Sequence, residues 1–581
     1  MTTLTTEQVK KIKALTPEQS AKAWAYIQKQ IVKTDPLKLV ENGHLSIKVK
    51  SGEIVKLVLN KAQRHINGII RNLQSLNKPI RLIVLKARQI GSTTDFMAFI
   101  YSYVSQSQGQ GAAVIADEKG KANDIFEMAK LFQECCPVYL RPDVKKSNER
   151  KLEFAGIHSQ IMIDTAENKD AGRSATLRYV LLSEYAYYRK ANADAIMLGI
   201  SNSVPSLPGT MIIKETTANG YNHFKDEWDA AAAGKNDYTP IFIPWYWDDG
   251  YVMAVDSTFL AGDPAEGDVS VDEPALCRQM QDECIDRIEE RLQWRRWAIR
   301  NNCNGSVDKF KQEFPSSPEE AFMASGQCFF DQRKLVAQLN KKTKPLFRAN
   351  IVKQDFKWVL RKHNDGDFMF FEEPDPYGQY AIGGDACSGS GADYSPLVAR
   401  NKQTRNVTAV YHAKCDPDEL AYRAFILGSF LNNAKIAIEN DKFGFAANRK
   451  LITLYGNVYI KRTYDKIQNK TVESIGFDTN ALTRPMILGQ MQEEVRNDTL
   501  ALNYDELIRE CLSFIKNPES GKAQAEDGKH DDLVMSCAIA GQIINDEPYQ
   551  HDVRGGLESR RARADDMAET RNAGLRFSRR A

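Results

Sequence analysis

The chain has 581 residues, of which 42% are hydrophobic and 27% charged, and this length and composition predict about two to four ordinary globular domains. No uninterrupted apolar run reaches the roughly 18 residues of a membrane-spanning helix, and Met1 to Lys13 lack the apolar core of a secretion signal, so we expect a cytoplasmic protein that is neither secreted nor membrane-bound. The formal net charge is only +2, so any nucleic acid must be held by local patches.

The first chemistry-bearing segment is a loop between a strand and a helix. After a polar, helical start, the apolar run Arg81 to Leu85 predicts a buried strand, and Phe96 to Val104 has a helical pattern. A phosphate-binding loop belongs in this context, because backbone N–H groups and the positive end of the helix dipole converge there on an anion. The alternative is an ordinary strand-to-helix turn.

The residues of this loop fit a phosphate-binding loop with its lysine displaced. Gly91 fits the last glycine and Thr93 the magnesium-binding hydroxyl, but Ser92 stands where the usual lysine would be. Lys86, at the start of the loop, has a stem long enough to reach the β- and γ-phosphates of ATP. We therefore assign ATP binding to Lys86, Arg88, Gly91, Ser92, Thr93 and Thr94.

A second strand, Tyr179 to Leu182, ends at Ser183 and Glu184. Nucleotide hydrolases place a magnesium partner and a water-activating carboxylate after such a strand. Glu184 is therefore the predicted catalytic base. Ser183 occupies the position at which an aspartate would hold magnesium, so the second anchor of the metal is missing from the sequence. The alternative for Glu184 is a solvated residue at the end of a strand.

A third strand, from Met211, ends in Thr216-Thr217-Ala218-Asn219-Gly220, a loop that can sense the γ-phosphate. The order of these motifs resembles the terminase large subunits of tailed viruses, in which Thr-Thr-Ala-like residues couple hydrolysis to movement. The resemblance implies a P-loop ATPase domain of the ASCE or RecA-like class, with Thr216, Thr217 and Ala218 as coupling residues. It also implies that Gln63 contacts adenine and that an arginine in cis, either Arg173 or Arg88, completes the ATP site.

In the second half of the chain, three carboxylate positions come from separate predicted elements. Asp385 ends a strand that begins at Tyr380, Glu439 ends a strand that begins at Ala434, and Asp532 precedes the amphipathic helix from Leu533 to Ala540. Two-metal phosphodiester cleavage needs such a convergence of hard oxygen ligands. The pattern resembles the ribonuclease-H-like nuclease domain of the same family, which implies that Asp385, Glu439 and Asp532 bind Mg²⁺ or Mn²⁺.

Four neighbouring residues have two interpretations each. Asp531 is either a metal ligand or the N-cap of the helix, and Asp393 more often caps backbone N–H groups than binds metal. His530 either orients the neighbouring acids or acts directly on metal or protons. Arg484, in a Thr-Arg-Pro element that precedes a helix in the family, is expected either to contact the DNA backbone or to pack.

The predicted architecture is α/β throughout. It comprises a helical segment (1–45), the P-loop ATPase domain (46–330), a linker (331–350), the ribonuclease-H-like nuclease domain (351–546) and a basic flexible tail (547–581). From Arg554 the tail holds eight arginines and four acids, so it either docks on a portal or on DNA phosphates or is simply solvated.

The resemblance further implies a function and its partners. A homo-oligomeric ring, transiently docked on the procapsid in the host cytoplasm, would translocate double-stranded DNA with ATP and cut concatemeric viral DNA. The small terminase subunit and the portal protein are the implied partners. Two alternatives stay open: a cellular or defence helicase-nuclease, and a DNA-packaging scaffold with a degenerate ATP site.

Overall fold

The computed structural model describes residues 16–550 except 149, 174–175, 256–272, 325–327, 355–356, 390–393, 466–469, 518–520 and 527. The chain divides into two compact units, Met1–Gly326 and Gln327–Ala581. Across the described ranges, no helix combines the length and the apolar character needed to cross a membrane. The predicted basic tail from Arg554 lies outside the described residues, as does Asp393.

Several helices of the N-terminal unit begin at a polar residue whose side chain accepts a backbone N–H group. Thr16 and Asn60 each form a capping box with a glutamine three residues later, and Asn222 accepts from Phe224 N. The helices are α1 (Pro17–Thr34), α2 (Lys38–Glu41), α3 (Lys61–Ser75), α4 (Ser92–Gln106), α5 (Lys119–Cys135), α6 (Lys190–Ser203), α7 (His223–Ala232), α8 (Glu273–Asp282), α9 (Ile288–Asn301), α10 (Val307–Glu313) and α11 (Pro318–Ala324). Single 3₁₀ turns span Tyr185–Tyr187 and Trp245–Trp247.

The strands of this unit form a hairpin and one large sheet. They are β1 (Ser46–Lys48), β2 (Ile54–Lys56), β3 (Ile80–Lys86), β4 (Gly111–Ala116), β5 (Val144–Asn148), β6 (Lys151–Phe154), β7 (Gln160–Thr165), β8 (Tyr179–Ser183), β9 (Met211–Thr216) and β10 (Thr239–Ile243). Strands β1 and β2 pair with each other, and the sheet has the order β10-β3-β9-β8-β4-β7-β6-β5. Every residue of β3, β4, β8 and β9 is buried, as expected for parallel strands covered by helices on both faces.

The topology of this sheet confirms the predicted ATPase fold class. The first six strands in spatial order are parallel, and the chain passes from β3 over β9 and β8 to reach β4. One strand, β9, thus lies between β3, which leads into the predicted phosphate loop, and β8, which leads into Glu184. This is the strand order of the ASCE class. In such sheets ligands bind beyond the carboxyl ends of the strands.

The C-terminal unit is built around a mixed sheet. Its helices are α12 (Gln332–Asn340), α13 (Pro417–Phe430), α14 (Gly444–Leu454), α15 (Thr483–Arg496), α16 (Asp505–Leu512) and α17 (Asp532–Asp546). Its strands are β11 (Phe347–Gln354), β12 (Lys357–Lys362), β13 (Phe368–Phe370), β14 (Tyr380–Gly384), β15 (Leu397–Asn401), β16 (Val407–Tyr411), β17 (Lys435–Ile438), β18 (Ile460–Asp465), β19 (Lys470–Ile475), β20 (Phe514–Lys516) and β21 (Ala523–Ala525). The segment predicted as a linker, 331–350, contains α12 and the first residues of β11.

The order of this sheet is that of the predicted ribonuclease-H-like class. It reads β12-β11-β13-β16-β15-β14-β17, with β14 antiparallel to β15 and parallel to β17. The helix α17 lies directly on β14, where a Cβ at Gly383 would come 2.0 Å from the Ser536 carbonyl oxygen. Only glycine allows this close approach of helix to strand. The α/β fold class of both units is therefore confirmed.

Candidate functional sites

The predicted phosphate loop joins β3 to α4 and is hydrogen-bonded to residues at the start of α3. Gly91 has a left-handed backbone with φ 82°, which glycine adopts without strain. The side chain of Asn60 donates to the Ile90 carbonyl at 3.0 Å, and that of Gln63 donates to the Gly91 carbonyl at 2.9 Å. The predicted adenine residue, Gln63, therefore lies buried against the loop itself, with its amide oxygen accepting from Asn60 N.

Lys86, the last residue of β3, reaches across this loop. Its Nζ lies 3.3 Å from Thr93 Oγ1, 3.2 Å from Glu184 Oε1 and 3.4 Å from Glu215 Oε2. Burial disfavours the charge, but the two carboxylates outweigh this effect and raise the pKa of Lys86 above its ordinary value. The structure therefore places a charged ammonium next to the hydroxyl that the sequence assigned to magnesium.

Glu184 follows β8 in a left-handed conformation with φ 55°. Its Oε2 accepts from Thr217 N at 3.2 Å and lies 3.3 Å from Thr216 Oγ1. Burial would raise the pKa of Glu184, but Lys86 and the Thr217 N–H lower it below its ordinary value. The predicted base is thus an ionised carboxylate, held against the predicted coupling loop.

A further acid, Glu215, was not identified from the sequence. It lies on β9, is 0% exposed, and accepts from Ser92 Oγ at 2.8 Å, from Thr93 Oγ1 at 2.5 Å and from Ser183 Oγ at 3.1 Å. A charged residue within a strand buried on both faces is unusual, and this was the available signal.

The loop after β9 is bound to the turn that carries Glu184. Thr216 and Ala218 are fully buried, and the Thr216 hydroxyl accepts from Ala186 N at 3.3 Å. The side-chain amides of Asn219 and Asn222 both donate to the Ala186 carbonyl, at 3.2 and 2.7 Å. Asn222 also caps α7. The predicted coupling residues therefore lie between the predicted base, Glu184, and the helix α7.

The two candidate arginines lie in different surroundings. Arg88 has a side chain that is 60% exposed, and its Nη1 lies 2.7 Å from Glu313 Oε2. Arg173 binds Asp170 at 2.7 Å and donates to the Ala195 carbonyl at 3.2 Å. Both arginines stay candidates for completing the ATP site, and Thr94 stays an ATP-binding prediction on the first turn of α4.

In the C-terminal unit, Asp385 and Glu439 follow two adjacent parallel strands. Gly384 of β14 is paired with Ile438 of β17, and Glu439 N donates to the Gly384 carbonyl at 2.8 Å. Burial raises the pKa of Asp385 well above its ordinary value, and the neighbouring carboxylates Glu439, Asp532, Asp441 and Asp531 raise it further. Burial raises the pKa of Glu439 as well. The three predicted ligands thus share one negative region.

The acidic region around Asp385 is the predicted metal site of this unit. Among the described residues, no group of three or more His, Cys, Asp or Glu side chains is arranged to hold a metal ion. The donor set nonetheless consists of carboxylate oxygens, which suit hard divalent cations. The mutual repulsion that raises the pKa of Asp385 is the effect a cation would offset. The ligand assignment therefore stays a prediction.

Asp531 takes the N-cap position of α17, but its side chain caps no backbone N–H. Instead, Arg484 Nη2 lies 2.5 Å from Asp531 Oδ2. The Thr-Arg-Pro element, expected before a helix, forms the first turn of α15, where a proline needs no N–H partner. Arg484 therefore connects the first turn of α15 to the residue that precedes Asp532.

The first N–H groups of α17 are capped by Glu510, a residue that the sequence did not indicate. Glu510 Oε2 accepts from Leu533 N at 3.0 Å and from Val534 N at 3.2 Å. Burial and the charge of Asp532 raise the pKa of Glu510 to about 8, although the two N–H groups oppose the shift. His530 packs edge-on against the ring of Tyr394 at 6.3 Å between ring centroids, and its proposed roles stay open.

Comparison with known proteins gave matches among solved structures, whereas no protein-family model matches the sequence. The HK97 bacteriophage large terminase is 12% identical, with a TM-score of 0.42 over 87% of this chain and 99% of that one. The large terminase ATPase domain of Thermus phage P74-26 is 14% identical, with a TM-score of 0.29 over 43% of this chain and 92% of that one.

A third match is the magnesium-bound large terminase nuclease of thermophilic phage G20c, which is 17% identical, with a TM-score of 0.27 over 36% of this chain and 96% of that one. The ATPase-domain and nuclease matches each cover less than half of this chain, whereas the HK97 match covers most of it. Large terminases of bacteriophages, the family that the sequence motifs resemble, are thus the proteins to which these solved structures belong.

Proposed function

We propose that this chain is a viral DNA-packaging enzyme that hydrolyses ATP in its N-terminal unit to translocate double-stranded DNA and cuts that DNA in its C-terminal unit. The observation that carries the proposal is the meeting of Lys86, Thr93 and Glu184 at the carboxyl ends of β3 and β8. A cation, a hydroxyl and a carboxylate from separate elements are the groups that phosphoryl transfer requires.

In the proposed ATPase reaction, the loop from Lys86 to Thr94 binds the phosphates through its backbone N–H groups and the first turn of α4. Lys86 leaves the carboxylate of Glu184 and neutralises the phosphate charge. Glu184, freed from this ion pair, orients a water molecule and accepts its proton. A bound Mg²⁺ would supply positive charge to the phosphate oxygens, and Thr93 is the hydroxyl placed to hold it.

Coupling to movement would begin at Glu184 itself. Its Oε2 touches both Thr216 and Thr217, so a shift of this carboxylate during hydrolysis changes the hydrogen bonds of the loop after β9. That loop continues to Asn222, which caps α7. We propose that α7 transmits the change to the parts of the unit that contact DNA.

The proposed nuclease activity rests on Asp385, Glu439 and Asp532. Their shared negative region would hold Mg²⁺ or Mn²⁺, which supplies an activated water and stabilises the leaving oxygen. Burial raises the pKa of Glu439, and the charge of Arg484 opposes that shift, which favours the charged, ligating form of this carboxylate. The same proposal includes the small terminase subunit and the portal protein as partners, and a ring of several copies of this chain. In the ATP site, Gln63 and either Arg88 or Arg173 would complete the set of binding residues.

The proposal is tested by separating the two activities. Plasmid cleavage with Mg²⁺ or Mn²⁺ is measured for wild type and Asp385→Ala, and DNA-stimulated ATP hydrolysis for wild type and Glu184→Ala. We expect each variant to lose only the activity of its own unit. If the wild-type protein cuts DNA but never hydrolyses ATP, even with DNA and procapsids present, the proposed motor function is wrong. The chain would then be a nuclease whose N-terminal unit has a structural role.

A further inference from the structure

The residue that should anchor magnesium in the ATP site is missing at its usual place. Ser183 ends β8 directly before Glu184, where a carboxylate is expected. In the sheet, Ser183 is the direct partner of Glu215 on the parallel neighbour β9. A carboxylate is thus present beside position 183, but it comes from the adjacent strand.

The carboxylate of Glu215 accepts hydrogen bonds from three hydroxyl groups. Its Oε1 accepts from Thr93 and Ser183, and its Oε2 accepts from Ser92. Because Glu215 is 0% exposed, its charge requires a nearby cation, and Lys86 Nζ lies 3.4 Å away. The ammonium of Lys86 thus lies between the carboxylates of Glu184 and Glu215 and balances their charge.

We propose that Glu215 replaces the acid missing at Ser183 and positions the magnesium ion of bound ATP through the hydroxyls of Thr93 and Ser183. The inference rests on the proposed ATP hydrolysis and adds the residue that holds its metal in place. When Lys86 moves to the phosphates, the carboxylate of Glu215 is left without its cation, and a magnesium ion held beside Thr93 and Ser183 would supply the positive charge that balances it. Glu215 is a positioning residue in this account, because it acts on the metal through the two hydroxyls.

A purely structural role for Glu215 makes a different prediction. If the carboxylate only fixed the conformation of the loop, its neutral replacement would weaken nucleotide binding equally with and without metal. If it positions the metal, only the metal-dependent part of the binding is lost. The dependence of nucleotide affinity on Mg²⁺ therefore separates the two roles without a measurement of activity.

The experiment uses the full chain and a fluorescent, non-hydrolysable ATP analogue. Its dissociation constant is measured with Mg²⁺ and with EDTA for wild type, Glu215→Gln, and the double variant Ser183→Asp with Glu215→Gln. We expect Glu215→Gln to lose on the order of 10–100-fold of the gain from Mg²⁺, as for other residues that orient metal ligands, while its affinity in EDTA stays that of wild type. The double variant, with its acid at position 183, regains the Mg²⁺ effect.

Glu227→Gln is the matched control, because Glu227, an acid on α7, pairs with Lys214, a lysine of the strand that also carries Glu215. It should keep the full Mg²⁺ effect. Should Glu215→Gln fail to fold by circular dichroism, Glu215→Asp keeps the charge but shortens its reach, and we expect a partial loss. An undiminished Mg²⁺ effect in the folded Glu215 variant would overturn the inference. No binding of the analogue by wild type, with or without Mg²⁺, would instead overturn the proposed function on which it rests.

Discussion

The guanidinium of Arg484 binds the carboxylate of Asp531 at 2.5 Å, which fixes the residue directly before the predicted ligand Asp532. Burial raises the pKa of Glu439, and the charge of the same arginine opposes that shift. One side chain thus acts on both Asp531 and Glu439 in the proposed nuclease site. This position favours the charged form of Glu439 and holds the start of α17 in place.

We predict that Arg484→Ala lowers plasmid cleavage on the order of 10–100-fold, the usual cost of losing a residue that orients metal ligands. Arg484→Lys keeps the charge but not the fork geometry, so it should recover only part of the activity. ATP hydrolysis in the same preparations serves as the control and should not change. Cleavage by Arg484→Ala at the wild-type rate would show that Arg484 only packs.

Glu510 gives a second prediction for the same region. Because it accepts from two N–H groups at the start of α17, Glu510→Ala should destabilise the protein by about 1–2 kcal/mol, as for the loss of a helix cap. It should also lower cleavage, since Asp532 opens that helix. Chemical denaturation and plasmid cleavage measure the two effects. Glu506→Ala is the control, because Glu506 lies at an exposed site of α16, the helix that also carries Glu510.

The sequence predicted those features that depend on local patterns. The strand, loop and helix around Lys86 were predicted because an apolar run, small loop residues and a helical period follow one another along the chain. Asp385 and Glu439 were predicted because each ends a buried strand, and parallel strands bring their carboxyl ends to one edge of a sheet.

Residues whose roles depend on register between elements were missed. Glu215 faces Ser183 only because β8 and β9 pair in the register that aligns these two residues, which no local pattern reports. Glu510 reaches the start of α17 from a helix that ends twenty residues before it. In both cases the sequence shows an acid with no evident partner, and only the tertiary structure supplies the donors.

The two candidate arginines can be separated by mutation. The pKa of Arg88 is raised first by Glu313 and also by Tyr187 and Glu184, so its guanidinium lies within electrostatic range of the proposed base. We therefore predict that Arg88→Ala lowers kcat for ATP hydrolysis by roughly 10³-fold, as for arginines that stabilise the transferred phosphoryl group. Arg173→Ala should have a much smaller effect. Steady-state ATP hydrolysis decides, and the reverse ranking would assign the role to Arg173.

Lys86 should contribute to stability in the absence of nucleotide. Its side chain is 7% exposed and lies between Glu184 and Glu215, so Lys86→Met leaves a buried carboxylate without its cation. We predict a loss of about 3–5 kcal/mol in unfolding free energy, typical of a broken buried ion pair, measured by urea denaturation. Lys121→Met is the control, because the Lys121 side chain is 44% exposed and its pair with Asp117 should contribute little. Equal losses in the two variants would contradict the prediction.

The buried Asp95 lies in the first turn of α4, the helix that follows the phosphate loop. Its environment predicts that the free energy of unfolding depends on pH. Burial raises its pKa to about 7 from an ordinary value of 3.8, although the Asn67 amide, which donates to Asp95 Oδ1 at 2.9 Å, opposes the shift. Among the described residues, Asp95 Oδ2 and Asn67 Oδ1 have no hydrogen-bond partner, so a proton on Asp95 would supply the missing donor. Because the folded pKa is the higher one, the native state binds more protons, and stability decreases as the pH rises toward about 7.

Asp95→Asn should remove this dependence, because its amide supplies the donor at every pH. We predict that the variant gains on the order of 2–3 kcal/mol over wild type between about pH 5 and about pH 8, with no further gain at higher pH. Urea denaturation at a series of pH values measures the difference, and Asp124→Asn on the exposed face of α5 should follow wild type throughout. If Asp95→Asn and wild type kept the same difference at every pH, Asp95 would be ionised in the native state, and the charge behind the loop would have to be balanced elsewhere.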